Sequence, residues 1–196
     1  MLKTIKSRRA IRKYTDRPVP RTTIETILEA ARWAPSSHNR QPWRFAVLTA
    51  AAEKARLARA MGERLRADRT ADGDDPADIE KDVARSFARI TGAPVAIVMC
   101  LSMAEMDTYP DARRRHYEWV LAVQSVAMAE QNMWLMAHSL GLGMNWVCAP
   151  LFVPKLVRDT LNLPSDWEPV GLMTLGYPVG SPQKTRQPLA EKVLWR

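Results

Sequence analysis

With 196 residues, the chain has the length of one ordinary domain and can bury a sizeable hydrophobic core. Its 46% hydrophobic and 26% charged residues exclude a disordered, a collagenous and a membrane-spanning protein. The formal net charge of +8 favours contact with an anion: a phosphate, an acidic substrate, a nucleic acid or a membrane surface. Because most of the basic residues are arginine, which binds phosphate in a bidentate manner, the choice leans towards phosphate. We predict a single domain over residues 1–196.

The cysteines and the apolar segments narrow the class of protein further. Cys100 and Cys148 have no CxxC or Cys/His neighbour, so neither a disulfide scaffold nor a zinc site is expected. No apolar run follows the basic N-terminus as it would in a secretory signal, and the most apolar segment, residues 119–137, is interrupted by five polar side chains. We therefore expect a cytoplasmic protein without a membrane span.

The first half of the chain predicts two helices and a strand. A capping-box pattern, Thr22 with Glu25, opens a helix that Pro35 ends. Residues 43–48 form a short aromatic and β-branched run that is typical of a strand, and a helix is expected from residue 51 to about residue 66. Residues 69–78 gather glycine, proline and four aspartates without a histidine or glutamate partner, which predicts a solvated loop and not a metal site.

The second half predicts a buried strand and a long helix. Residues 95–100 are continuously apolar, which fits a strand covered on both faces. The helix over 113–139 is apolar round most of its circumference, so it belongs to the core or to a subunit interface, and Gly141 and Gly143 are candidate C-terminal caps. There follow a short strand (144–147), a helix after Pro150 (152–161), a last strand (169–177) and an extended arm from Pro178. The sequence lacks a regular βαβ rhythm, which favours the α+β class.

A basic cluster near the N-terminus is the first candidate site. On a helix or tight turn, Arg8 and Arg12 would share one face with Arg9 beside them, a fork that could hold a phosphate dianion. Near the other end of the chain, Lys184 and Arg186 follow a Gly-Ser-Pro turn, so both ends could converge on one phosphate. The alternatives are a solvated basic surface and a nucleic-acid patch, although no aromatic residues are interleaved with the cluster.

A polar loop between the first helix and the first strand is the second candidate. Residues 34–43 (APSSHNRQPW) could present hydroxyls, amides and backbone groups to a polar heterocycle, or they could form an ordinary turn held by Asx and Ser hydrogen bonds. A catalytic triad around His38 is not expected, since no serine or cysteine nucleophile accompanies it in a recognisable pattern.

Four segments together resemble the nitroreductase-like flavoprotein superfamily: SRRAIRKY, PSSHNRQPWRF, LGMNW and GYPVGSPQKTR, in the family's order and spacing. Within it, the chain is most similar to the flavin reductase domain of deazaflavin-coenzyme biosynthesis, on the segments RADRTADGDDPADI, SMAEMDTYPDARR and LVRDTLNLPSDWEPVGLMTLGYP. The resemblance implies a central mixed sheet flanked by helices and an intertwined homodimer with two FMN sites. It also implies reduction by NAD(P)H and reoxidation by a small electron-poor acceptor (a nitro compound, quinone or activated alkene) in a ping-pong cycle.

Residue by residue, the resemblance assigns four groups to the flavin. Arg8, Arg9, Lys184 and Arg186 match positions that bind the FMN phosphate and ribityl chain, and Arg12 matches the basic residue beside the pyrimidine ring. The loop positions Pro35, Ser36, Ser37 and Asn39 match the isoalloxazine-edge segment that the other subunit contributes. The positions passing flavin N5 are Cys148, Ala149, Pro150 and Leu151. No protein acid–base dyad is expected, because hydride transfer is the chemistry of the cofactor.

Two positions depart from the family pattern. Ala10 stands where relatives commonly carry a serine, so one hydroxyl near the phosphate is missing. Pro150 falls close to the position whose backbone N–H usually faces N5, and proline has none. Either Leu151 supplies that donor after a one-residue shift, or the reactive edge is tuned differently. A role in deazaflavin-coenzyme biosynthesis and, from a different class, a nucleic-acid-binding module remain the alternative functions.

Overall fold

The computed structural model describes all 196 residues and confirms the α+β class. Six α-helices and four β-strands alternate irregularly along the chain, and three short 3-10 turns lie at Ser37–Asn39, Ala149–Phe152 and Leu189–Lys192. The helices are α1 (Leu2–Ser7), α2 (Arg21–Arg32), α3 (Ala51–Ala71), α4 (Pro76–Thr91), α5 (Ala112–Ser139) and α6 (Pro154–Leu161). The strands are β1 (Trp43–Leu48), β2 (Val95–Leu101), β3 (Gly143–Val147) and β4 (Glu168–Gly176).

The four strands form one sheet in the order β1-β2-β4-β3, and every neighbouring pair is antiparallel. The parallel component expected of a mixed sheet is confined to one isolated bridge between Ala10 and Met144. The apolar run 95–100 occupies a central strand that is buried along its whole length, as predicted. Both faces of this strand pack in hydrophobic clusters, which explains why its sequence shows no polar alternation.

The sheet separates two layers of helices, each with its own core. Ile97, Met99 and Leu101 of β2 face a large cluster built with α2 and α5, whereas Ala96, Val98 and Cys100 face a smaller cluster that includes side chains of α3 and α6. The alternation follows from the two-residue period of a strand. Burial raises the pKa of the Cys100 thiol to about 12, so this cysteine is inert packing.

The helical hairpin α3–α4 is the main difference from the sequence-based expectation. The predicted solvated loop 69–78 is wrong over most of its length: α3 continues to Ala71, and α4 begins at Pro76. The carboxylate of Asp75 caps α4 by accepting the N–H groups of Ala77 and Asp78, so the aspartate-rich segment is a helix-start signal. The expected capping box of α2 is also wrong, since α2 begins at Arg21 without a side-chain cap.

The long helix α5 and the tail match their predicted positions closely. Gly141 follows α5 with φ +76°, a conformation that favours glycine, whereas Gly143 belongs to β3 and is not a cap. Past Tyr177 the chain is an exposed arm with one short 3-10 turn. None of the helices combines the length and the apolar character needed to cross a lipid bilayer.

Candidate functional site

The N-terminal segment is held along the edge of the sheet and not in a helix. Helix α1 ends at Ser7, Ala10 bridges to Met144 of the edge strand β3, and the N–H of Ile11 donates to the carbonyl of Met144 at 2.9 Å. A Cβ on Gly143 would lie 2.6 Å from the Ile11 side chain, so this close approach requires glycine. The expectation that Arg8 and Arg12 share a face of a helix or turn is therefore wrong.

Tyr14 ties this segment to the chain that leaves β4. Its buried hydroxyl contacts the Thr174 hydroxyl at 2.8 Å and donates to the carbonyl of Ile11, and burial raises its pKa. Just beyond, the N–H of Val179 donates to the carbonyl of Lys13 at 3.0 Å. The C-terminal arm therefore departs from the sheet beside the N-terminal arginines.

A first cationic cluster consists of Arg8, Arg9 and Arg186. The pKa of Arg8 is lowered by its burial, by the charge of Arg186 and by the charge of Arg9, in that order. Residues from the two ends of the chain therefore lie close enough for their charges to interact. The Arg8 guanidinium lies 4.2 Å from the ring centre of Trp134 on α5. Arg9 donates to the carbonyls of Lys6 and Arg8, and Arg186 donates to that of Thr185, so all their hydrogen-bond acceptors are neutral. Lys184 is exposed on the same arm.

This cluster also contains unsatisfied buried donors. The Nε of Arg9 and the indole Nε1 of Trp134 are the only buried side-chain nitrogen or oxygen atoms in the protein without a hydrogen-bond partner. A buried donor without an acceptor is costly, and guanidinium cannot lose its proton to reduce the cost. The cluster is thus electrostatically incomplete in a way that an anion would satisfy. Sequence reasoning missed Trp134, which lies 126 positions from Arg8 (134 − 8).

A second cationic cluster surrounds a cavity of about 580 Å³ that Tyr14 also lines. Arg12 and Lys13 line it from the N-terminal segment, and Arg85 and Arg89 line it from α4. The pKa of the half-buried Arg89 is lowered by its burial and by the nearby charges of Arg12 and Arg85. Like charges are therefore held close together around this cavity. Arg85 and Arg89 were missed because α4 was missed; their i,i+4 spacing behind an Asp-Pro helix start was the available signal.

The loop with Pro35, Ser36, Ser37 and Asn39 is strained and firmly held. His38, Asn39 and Gln41 have φ values of 49°, 55° and 51°, which are rare for residues other than glycine. The Ser36 hydroxyl accepts the N–H of Gln41 at 3.0 Å, and Ser125 of α5 accepts the N–H of Ser37 at 3.3 Å. Ser125 and Trp134 are nine residues apart, so the loop and the first cluster contact α5 at points roughly 13 Å apart along the helix.

The segment Cys148–Leu151 forms a tight turn directly after β3. Pro150 is buried and lacks an N–H, and the N–H of Leu151 donates to the carbonyl of Cys148 at 3.0 Å. Neither residue therefore offers a free backbone donor, and the one-residue shift considered for Leu151 does not supply one. Cys148 is exposed, and Ala149 and Phe152 line a further cavity against the α3–α4 hairpin.

Comparison with known proteins assigns the chain to a family. The model of the nitroreductase family matches residues 5–177. A provisionally named NADH dehydrogenase/NAD(P)H nitroreductase of Methanothermobacter thermautotrophicus is 32% identical over 93% of this chain and 79% of its own length. A 5,6-dimethylbenzimidazole synthase of Rhodospirillum rubrum is 28% identical over 87% of this chain and 78% of its own length. The chain belongs to the nitroreductase family.

A solved structure supports the same assignment of fold. A protein of Desulfovibrio desulfuricans, provisionally described as a nitroreductase and crystallised with FMN, superimposes with a TM-score of 0.77. It is 29% identical, and the match covers 100% of this chain and 95% of that one. The nitroreductase-like fold expected from the four motifs is confirmed.

Proposed function

We propose that the protein is an FMN-dependent oxidoreductase that takes a hydride from NAD(P)H and reduces an electron-poor small molecule. Family membership makes it an oxidoreductase, and relatives are named for NAD(P)H and nitroreductase activity. The observation that carries the cofactor assignment is the first cationic cluster, where Arg8, Arg9 and Arg186 lack a carboxylate partner and two buried donors lack an acceptor. These residues fit the phosphate of FMN.

The second cluster and the turn after β3 fit the ring of the same cofactor. Arg12, with Arg85 and Arg89 beside it, would hold the pyrimidine edge, where positive charge stabilises an anionic reduced ring. Ala149 and Pro150 would pack beside its N5 side and exclude water. When bound, FMN supplies the hydride chemistry, so the protein has only to bind, orient and shield it.

NAD(P)H and the acceptor are expected to react in turn, in a ping-pong cycle. The sequence contains no GxGxxG segment that would hold a dinucleotide permanently, so the donor has to dock transiently and leave. Anaerobic stopped-flow reduction with NADH and with NADPH, followed by separate mixing with acceptors, measures the two half-reactions. Parallel lines in double-reciprocal plots are expected, and intersecting lines would contradict the cycle.

We also propose a homodimer in which the loop with Ser36, Ser37 and Asn39 serves the flavin of the second copy. Within one chain, the loop and Arg8 contact α5 at separate points, which is consistent with their serving two different flavins. The arm also carries three exposed apolar side chains, Leu189, Leu194 and Trp195. Exposed apolar groups of this size favour association. Light scattering at micromolar concentration should give twice the mass of 22.2 kDa. A monomer that retains its flavin would contradict the shared site.

The cofactor proposal has a direct test. The purified protein should be yellow and should release FMN, identified by mass, on denaturation. Colourless protein should recover the visible spectrum of bound flavin when FMN is added. A preparation that neither contains nor binds FMN would overturn the proposal, and salt-sensitive DNA binding by flavin-saturated protein would revive the nucleic-acid alternative.

A further inference from the structure

A serine–histidine hydrogen bond joins the N-terminal segment to the end of α5. The Oγ atom of Ser7 lies 2.7 Å from Nε2 of His138, and the serine hydroxyl also contacts the carbonyl oxygen of Thr4 at 3.3 Å. Ser7 is the only hydrogen-bond partner of this imidazole, so the pair lacks the third group that orients the base of a catalytic triad. The contact therefore needs an explanation other than nucleophilic catalysis.

The hydrogen bond lies one helical turn along α5 from the first cationic cluster. Trp134, whose ring centre is 4.2 Å from the Arg8 guanidinium, is four residues from His138, so the two side chains share a face of the helix. Consecutive residues of the N-terminal segment, Ser7 and Arg8, thus contact consecutive turns of that face. The imidazole lies roughly 6 Å along the helix axis from the indole whose buried N–H lacks an acceptor.

No acidic side chain near the end of α5 is free to balance a positive charge on His138. Strand β3 carries no charged residue, and the nearest acid on α5, Glu130, is about two turns away. The carbonyl groups at the end of the helix favour a cation only weakly. On α2, Glu29 is paired with Arg32 at 2.6 Å. The remaining charged groups on the elements around His138 are the amino group of Met1, Lys3, Lys6, Arg8 and Arg9.

The chemistry of imidazole links this hydrogen bond to pH, because histidine changes its charge between about pH 5 and pH 8. A neutral imidazole either accepts the Ser7 proton at Nε2 or donates to Ser7, according to its tautomer, whereas a protonated imidazole can only donate. Protonation therefore fixes the direction of the bond and turns the serine O–H towards another acceptor, which is the Thr4 carbonyl or an oxygen of a bound anion. The cluster gains a positive charge and a free hydroxyl donor together.

We propose that His138, acting through Ser7, is a positioning residue of the FMN phosphate site and that its protonation tightens FMN binding. The inference rests on the proposed function, since it takes the phosphate of FMN as the anion. A phosphate dianion beside Arg8 and Arg9 favours the protonated imidazole, and by linkage the protonated imidazole favours the phosphate by the same factor. At a separation of about 8 Å, with the screening usual near a protein surface, this factor is about three- to tenfold.

The imidazole can be titrated directly, because the chain contains only three histidines. In ¹H–¹³C spectra, the C2–H resonance of His138 should titrate about half to one pH unit higher in FMN-loaded protein than in the apoprotein. His138→Gln assigns the resonance. His116 is the matched control: it lies on the same helix 22 residues away (138 − 116), roughly 33 Å, and its titration should not move when FMN binds.

The pH dependence of FMN affinity gives the second test. The dissociation constant of His138→Gln, divided by that of wild type, should be about three- to tenfold larger at pH 6 than at pH 8. Protonation of the FMN phosphate, whose second pKa is about 6, weakens binding to both proteins and cancels in the ratio. Riboflavin, which lacks the phosphate, should give the same ratio at both pH values. Ser7→Ala should reduce the effect, and His116→Gln should behave as wild type.

Three results would overturn the proposal. A ratio for FMN that is constant with pH would mean that His138 only packs against Ser7. A pH-dependent ratio that persists with riboflavin would assign His138 to another part of the site, and an unmoved His138 resonance would separate it from the phosphate. The proposed function fails in a different way: if no flavin binds at any pH, inorganic phosphate becomes the probe. A His138 titration raised by phosphate alone would then retain the anion site and reject only the cofactor.

Discussion

The two cavities that flank α4 hold their charges in opposite ways. Around the cavity against α3, each arginine is paired with an aspartate of the hairpin. Around the cavity against the N-terminal segment, Arg12, Lys13 and Arg89 form no salt bridge, and only Arg85 has a partner, in Asp82. Paired charges at a surface serve local structure and add little stability, whereas convergent cations without carboxylate partners repel one another and mark a candidate ligand site.

Two buried cations differ in the same way: one has protein acceptors for its hydrogen bonds, and the other lacks an acceptor that a ligand could supply. Lys54 is buried on α3, and burial lowers its pKa, but its ammonium group donates to the carbonyls of Ala93 and Pro94. Arg9, by comparison, keeps a buried Nε without any acceptor. Satisfaction of hydrogen bonds, and not burial alone, therefore marks the candidate site.

Removing the C-terminal arm should have the largest effect on FMN binding by the first cationic cluster. A protein ending at Pro182 lacks Lys184 and Arg186, and each charge-assisted hydrogen bond to phosphate contributes about 1.5–3 kcal/mol, so FMN affinity should fall more than about a hundredfold. The free energy of unfolding should change far less, because the arm is exposed. Flavin fluorescence titration and urea unfolding of the apoprotein measure the two quantities. An unchanged dissociation constant would mean that the arm does not contact the phosphate.

Glu130 tests whether every unpaired buried charge marks a ligand site. Its carboxyl forms no salt bridge and lies over the backbone of Gly171 beside the Trp146 indole, where a Cβ added at Gly171 would be 3.1 Å from Glu130 Oε1. Burial raises its pKa from the usual 4.5 to about 7. Unlike an arginine, a carboxyl group can take up a proton and become neutral, so it needs no counterion from a ligand.

The pH dependence of stability should therefore reveal Glu130. Between about pH 4.5 and about pH 7 the unfolded chain loses this proton while the folded protein keeps it, so the free energy of unfolding should fall by about 3 kcal/mol as the pH rises, and then level off. Glu130→Gln should abolish this decline and be the more stable protein at pH 8, with little difference at pH 4. Urea unfolding at both values measures it, and the exposed Glu63→Gln is the control. Parallel profiles for wild type and Glu130→Gln would contradict the assignment.

Replacing Trp134 should have an intermediate effect on FMN binding by the first cationic cluster. Trp134→Phe keeps an aromatic face beneath Arg8 but removes the indole N–H that lacks an acceptor. If that N–H donates to the phosphate, FMN affinity should fall about tenfold or more, the value of one hydrogen bond to a charged group. Trp119→Phe, on the same helix but with its N–H donating to Glu168 at 3.1 Å, is the control. Equal FMN affinity in wild type and Trp134→Phe would mean that Trp134 only stacks against Arg8 and does not bind the phosphate.

The sequence predicted the strands, the long helix and the arginines at both chain ends, because apolar runs and clustered charges are local signals. It did not predict the partners of those arginines, since Trp134 and Arg89 reach the N-terminal segment only through tertiary packing. The aspartates of residues 69–78 indicated a loop by composition, yet Asp75 caps α4 and Asp74 pairs with Arg69. A single aspartate before a proline carried the helix signal, and counting the other acidic residues obscured it.

Arg89→Met should have the smallest effect and should act in opposite directions on the free and the loaded protein. Arg89 is half-buried against Arg12 and Arg85, so removing its charge relieves repulsion and should raise the melting temperature of the apoprotein. It should also weaken FMN binding about two- to tenfold, because a hydrogen bond to the neutral ring contributes only about 0.5–1.5 kcal/mol. Arg66→Met is the matched control on α3: it breaks an exposed pair with Glu80 and should leave FMN affinity unchanged. Thermal scans with and without FMN measure both effects. If Arg89→Met lowered the melting temperature of the apoprotein, Arg89 would be a structural residue and the distinction between paired and unpaired arginines would fail at α4.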